Sequence, residues 1–179
     1  MLTFTTKLIT IEMNEKLEEL EGKFRYADQL ITDNEVDEAK ALLFSIIEEE
    51  PGFGKAYNHI AWIYETKEKR FREAENLYKQ AMDFSPDYPA PYINYLYLLN
   101  TELRGPEAEA HILKAKDIVG INKVSLWTEW AYMLEYSGRF EEAIEKYKEI
   151  IPMQNNLEKL DQLKSDIERV RKKSEMLNL

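Results

Sequence analysis

The chain has 179 residues, 44% of them hydrophobic and 12% aromatic, with no cysteine, two histidines and 24 basic against 34 acidic side chains, a net charge of −10. That length and apolar content suit one domain with a real core and argue against wholesale disorder, while the acidic balance argues against nucleic-acid binding, which needs a basic surface. The missing cysteine excludes disulfides, thiol nucleophiles and iron–sulfur ligation, and no run approaches the ~18 apolar residues of a membrane span.

Residues 1–13 open the chain with MLTFTTKLITIEM, in which threonines interrupt the apolar run that a signal peptide needs. An isolated strand there has no partner, so an N-terminal extension, disordered or loosely docked, is expected. Helix-forming sequence begins near Met13, an alternative start, and Asn14 suits a helix cap.

From there to residue 154 one order of residue types recurs four times. The fourth copy reads Trp127, Trp130, Ala131, Leu134, Gly138, Phe140, Ala143, Tyr147 and Ile150. The second reads Tyr57, Ile60, Ala61, Tyr64, Phe71, Ala74, Tyr78, Ala81 and Pro86. The third gives Tyr92, Tyr95, Leu96, Leu99, Gly105, Ala108, Ile112, Ala115 and Gly120. The first gives Lys23, Tyr26, Ala27, Leu30, Asn34, Val36, Ala39, Leu43, Ile46 and Pro51. Ala39, Ala74, Ala108 and Ala143 stand 35, 34 and 35 residues apart. Each copy carries two helical stripes, of which Tyr57, Ile60, Ala61 and Tyr64 are one. Ala27, Ala61 and Ala131 let the paired helix approach closely. Gly138 and Gly105-Pro106 are read as the turns between paired helices, and Pro51 and Pro86 as stops after second helices. Copy two has one extra residue in its Lys67–Arg70 turn.

This pattern resembles the tetratricopeptide repeat (TPR) family over most of the chain. The resemblance implies an all-α, right-handed superhelical solenoid of four helix-turn-helix repeats, at about residues 20–53, 54–88, 89–122 and 123–154. Lys23 in place of an apolar residue, Leu96 in a small position, and Ile46 and Ile150 in place of alanine depart from it.

Residues 155–179 then supply a C-terminal capping helix. Leu157, Leu160, Leu163, Ile167, Val170 and Leu177 form its apolar stripe, and Asn155 or Asn156 its cap. Arg169, Arg171, Lys172 and Lys173 read as a solvated helix end. The charge is uneven: residues 12–50 hold 13 acidic and 4 basic side chains, nearly the whole imbalance. A basic partner or an acidic, solubilising end cap both suit that segment.

Little chemistry is visible. His59 and His111 lie far apart with no metal-ligand spacing, glycines are single, and Asp33-Asn34-Glu35-Val36-Asp37 lacks the glycine and final glutamate of a calcium loop. No enzyme, cofactor or metal is expected.

The resemblance implies that first helices line a concave peptide-binding groove. Carried over residue by residue, its lining is Phe24 and Asp28; Lys55, Asn58, His59 and Trp62; Ile93, Asn94, Tyr97 and Asn100; and Ser125, Thr128, Glu129, Tyr132 and Tyr136. Trp62, Tyr97 and Tyr132 fall at one equivalent position, an aromatic series read as binding surface because the packing positions are already filled without it, with packing on neighbouring first helices as the competing reading; Asn58, Asn94 and Asn100 suit an extended peptide backbone. Family members that clasp acidic chaperone C-termini use Lys, Asn and Arg at positions held here by Phe24, Asp28, His59, Ala90 and Asn94, so no such binding is expected. The expected function is a non-catalytic adaptor or scaffold for a neutral or basic protein or peptide with an apolar anchor, located in the cytoplasm. The alternative is a self-assembly module that forms a homo-oligomer through the C-terminal helix.

Overall fold

A computed structural model describes the backbone of residues 4–177 and side chains from residue 12. Nine α-helices follow one another among the described residues: α1 (Phe4–Thr32), α2 (Val36–Glu49), α3 (Gly54–Thr66), α4 (Phe71–Phe84), α5 (Ala90–Thr101), α6 (Gly105–Ala115), α7 (Lys123–Tyr136), α8 (Phe140–Ile150) and α9 (Leu157–Leu177). A 3-10 turn, Ile151–Met153, precedes α9. The chain divides into two compact units, residues 1–88 with α1–α4 and residues 89–179 with α5–α9.

The first helix differs from expectation. It begins at Phe4, and Asn14 lies in its interior rather than at a cap. No glycine or proline occurs before Gly22. The threonines there cost only a few tenths of a kcal/mol each in helix propensity, so nothing local stops the helix. The expectation for Met1–Thr3 lies outside the described residues.

In the first unit α1 packs on α2, α2 on α3 and α3 on α4. Its core gathers Leu20, Ala27, Leu43, Ile46, Phe53, Ala56, Ile60 and Ile63. In the second unit α5 packs on α6 and α7, α6 on α7, α7 on α8, and α8 on α9. The four anchor alanines, and Ala27, Ala61, Leu96 and Ala131, are wholly buried, as close helix crossings require. Tyr26 is exposed, because no described helix pair precedes α1 to cover it.

Each paired turn is closed by one left-handed residue, Asn34, Lys69, Leu103 or Gly138, at φ 66°, 57°, 55° and 76°. All four stand five positions before their anchor alanine. The next amide then reaches back to the preceding helix: Glu35 N–H donates to Leu30 O, Arg104 N–H to Leu99 O and Arg139 N–H to Leu134 O. This is the six-residue bond of a Schellman ending. Arg70 N–H instead donates to Tyr64 O, one residue further, which absorbs the extra residue of that turn.

Gly105 is therefore not the turn residue that the sequence suggested; Leu103 is. Gly105 lies in the first turn of α6, where the other repeats have Val36, Phe71 and Phe140. A Cβ on it would lie 3.1 Å from Ser137 Oγ and 3.5 Å from the Tyr136 ring, so Tyr136 fills the space left open.

An L-residue held left-handed costs roughly 1–2 kcal/mol, partly offset by the chain entropy a glycine loses on folding. Leu103 is 61% exposed, so its side chain contributes little burial. Leu103→Gly should therefore gain about 0.5–1 kcal/mol in urea denaturation. Gly138→Ala should lose about 1 kcal/mol although nothing lies within 4 Å of the added Cβ. An unchanged midpoint for both would show that φ does not set the stability of these turns.

At the other helix junction of the first unit, Gly54 opens α3 directly against the end of α4. A Cβ there would meet Ser85 Oγ at 2.5 Å and Ala81 O at 2.7 Å.

α9 is capped by Asn156, whose Oδ1 accepts from Lys159 N–H at 3.2 Å. Leu163, Ile167 and Val170 are buried, whereas Leu157 and Leu177 are exposed, so the apolar stripe is shorter than its sequence suggested. The basic cluster is also not simply solvated. Arg169 donates to Glu135 of α7 through Nε at 3.2 Å and Nη2 at 2.7 Å, and Lys173 Nζ does so at 2.5 Å. Arg169 Nη2 also reaches Tyr147 Oη at 3.3 Å.

Candidate functional site

The predicted lining residues fall into two sets, one in each unit. In the first unit, Phe24 of α1 stands edge-on to His59 of α3 (centroids 4.5 Å apart) and to Phe53 (5.7 Å). His59 Nε2 lies 3.2 Å from Asp28 Oδ1, and its Nδ1 lies 3.5 Å from Asn58 Nδ2. Burial lowers the His59 pKa, with Asp28 pulling the other way. Lys55 Nζ binds Glu21 at 2.6 Å and sits about 6 Å from the Phe24 and Phe53 rings. Trp62 is half-buried and packs against the core, with Lys67 Nζ 5.7 Å from its ring. For Trp62 the packing reading applies at least in part, since the ring lies against the core.

In the second unit the spacing of Ser125, Glu129, Tyr132 and Tyr136 sets these four on one face of α7. That face meets Tyr97 and Asn100 of α5. Asn100 Nδ2 donates to Glu129 Oε2 at 2.7 Å and to Glu129 O at 3.1 Å, and Tyr136 Oη donates to Asn100 Oδ1 at 3.3 Å. Burial raises the Tyr97 pKa, and the nearby Glu129 charge adds to that rise. Tyr132 and Tyr136 stack edge to face at 5.5 Å. Tyr97 and Tyr132 remain 39% and 43% exposed. Glu129 is half-buried, and burial raises its pKa against the pull of the Asn100 hydrogen bond. Thr128 turns its hydroxyl to its own helix at Val124 O, and Ile93 and Asn94 are half-buried.

Two predicted ligand contacts fail. Asn58 and Asn100 are each only 2% exposed, and the Asn100 amide is spent on Glu129 and Tyr136. A buried amide is held by such internal bonds, so neither is open to a peptide backbone.

Sequence reasoning also missed a buried polar position. Glu65, Asn100 and Glu135 occupy the same place in successive first helices, one residue after Tyr64, Leu99 and Leu134, and all three are buried. Tyr78 Oη donates to Glu65 at 2.7 Å. Aligning the repeats one residue beyond the apolar stripe would have exposed this pattern. His111 is likewise structural: its Nε2 donates to Tyr92 O at 2.8 Å between the rings of Tyr92 and Tyr95. Among the described residues no group of three or more His, Cys, Asp or Glu side chains is arranged to hold a metal ion.

No family model and no curated protein sequence matches the chain. Solved structures do match its fold. PilF of Pseudomonas aeruginosa superposes with a TM-score of 0.76 at 16% identity, over 87% of this chain and 70% of that one. YrrB, described as a TPR protein with an unusual peptide-binding site, matches at TM-score 0.61 and 19% identity, over 78% of this chain and 71% of that one. The chain has the tetratricopeptide-repeat fold. Yeast Tom70 matches this TPR chain at TM-score 0.74 and 18% identity, over 87% of it but only 34% of Tom70. The TPR helix pairs are α1/α2, α3/α4, α5/α6 and α7/α8. No helix among the described residues is long and apolar enough to cross a membrane.

Proposed function

We propose that this TPR chain is a non-catalytic adaptor or scaffold that binds protein segments on the faces of its first helices. The observation that carries this reading is the pair of exposed tyrosines, Tyr97 and Tyr132, on the adjoining helices α5 and α7. Tyrosine joins large apolar area to a polar tip at low entropic cost, the property that makes it frequent in binding hot spots. The peptide-binding site named for YrrB supports the same class of ligand. The polar groups of the first-unit face largely pair among themselves, so the second unit supplies the more open surface.

Binding of a random 12-residue peptide library to the chain tests this reading. Tyr97→Ala and Tyr132→Ala should each weaken selected peptides by tenfold or more, the size of a hot-spot truncation. Trp62→Ala is read beside a melting curve, since Trp62 also packs against the core. Selected peptides that bind both tyrosine variants at full strength would remove these residues from the site. The second reading, self-assembly through α9, has its own observation in the exposed Leu157, Met176 and Leu177. Sizing at several concentrations separates the two, because a self-associating chain grows with concentration and an adaptor does not.

A further inference from the structure

Carboxylates near the paired turns and the α7/α9 contact of the second unit hold cations of their own chain. Arg104 binds Glu102 and Glu107, Arg139 binds Glu109 and Glu142, and Arg169 with Lys173 binds Glu135. Glu129 is the exception on the α5/α7 face. Its side-chain partner among the described residues is the neutral Asn100 amide, and no lysine or arginine ion-pairs with it there. That amide engages Oε2 and leaves Oε1 without a bond from Asn100. The half-exposed Tyr97 and Tyr132 border this carboxylate: Tyr132 follows it by three residues on the same helix face, and Tyr97 precedes Asn100, which binds it, by three residues on α5.

We infer that Glu129, Tyr97 and Tyr132 form a seat for a basic side chain of the bound segment, an arginine or lysine. The chemistry is complementary at each point. A half-buried carboxylate attracts a cation more strongly than one in water. Tyrosine faces add attraction for a guanidinium or ammonium group. The net charge of −10 favours approach of a basic segment from a distance. Asn100, fixed by Tyr136 and by the Glu129 carbonyl, holds the carboxylate in place before the partner arrives. This inference rests on the adaptor reading and names the partner chemistry of the same face.

The test uses the full chain and a phage-displayed random 12-residue peptide library. Selected peptides should share an arginine or lysine at a fixed position. Replacing that arginine by citrulline, or that lysine by acetyl-lysine, should weaken binding about tenfold or more, the scale of a hydrogen bond to a charged group. Glu129→Gln, which keeps an acceptor for Asn100 and removes the charge, should weaken the parent peptides equally. It should also discriminate little between arginine and citrulline. An unchanged thermal melt for Glu129→Gln assigns the loss to the site. Peptides that need Tyr97 and Tyr132 but share no basic residue, or that bind Glu129→Gln at full strength, would overturn the inference and leave the adaptor reading standing. A library that yields no binder overturns both.

Discussion

Arg169→Met combined with Lys173→Met should destabilise the second unit by about 3–5 kcal/mol, the cost of stripping a buried charge of its partners. Glu135 is only 5% exposed, and its two cations come from α9, which is otherwise held by Leu163, Ile167 and Val170. The asymmetry is the informative part. The Arg169 and Lys173 side chains are 44% and 53% exposed, so after Glu135→Gln both reach water and the loss should be much smaller. Adding Glu135→Leu to the double variant should recover most of the loss, because an apolar trio needs no pairing. Burial works against ionised Glu135, but the bonds from Arg169 and Lys173 outweigh it and hold its pKa below the usual carboxylate range. A lowered folded-state pKa means stabilisation that is complete above the unfolded value and lost as pH falls through the folded one. Hydrogen exchange should therefore show α9 losing protection in acid, below the normal carboxylate pKa, and staying docked at neutral pH. Equal stability of the double variant and the wild type would show that Glu135 is not effectively desolvated.

Gly54→Ala should cost about 1–3 kcal/mol, opposite in sign to the propensity rule that favours alanine in helices. The added methyl would lie 2.7 Å from a backbone carbonyl, Ala81 O, which cannot rotate away as a side chain can. α3 and the end of α4 would have to separate, loosening the packing of α3 on α4. Gly22→Ala is the control. Gly22 lies inside α1, where an added Cβ would approach Arg25 Nη2 only to 3.9 Å, so about 0.5–1 kcal/mol of gain is expected. Both are read from urea midpoints of the full chain. A gain at Gly54 would mean that the α3/α4 junction is slack.

What the sequence revealed and what it hid divide along physical lines. The repeat was legible because its alanines must be small wherever two helices cross, and that need recurs at a fixed spacing. The turn of the third repeat was misplaced because glycine is only the usual answer to a left-handed residue; Leu103 takes that conformation without one. The start of α1 was hidden because threonine-rich segments merely disfavour helix and do not forbid it. Asn58 and Asn100 read as groove residues open to a peptide, and nothing singled out Glu135, since the burial of all three is decided by neighbours distant in sequence. Trp62 looked spare for the same reason. Tyr97, Tyr132 and Glu129 were placed by the family pattern, whereas the uncompensated charge at Glu129 emerges only when the cations of the unit are matched to their partners.

The contact between Gly105 and Tyr136 bears on how freely such repeats can be exchanged. The third repeat gives up a side chain at the start of α6, and the fourth supplies a ring to occupy the gap. Each half is a defect without the other. A chimera that imports Phe at position 105, as in repeats two and four, would press on Ser137 Oγ and need room where the Tyr136 ring lies, and one that shortens Tyr136 alone would leave that side of Gly105 open. Repeats three and four are therefore matched at this point, and a chimera joined at their boundary is expected to be more stable when positions 105 and 136 come from the same parent.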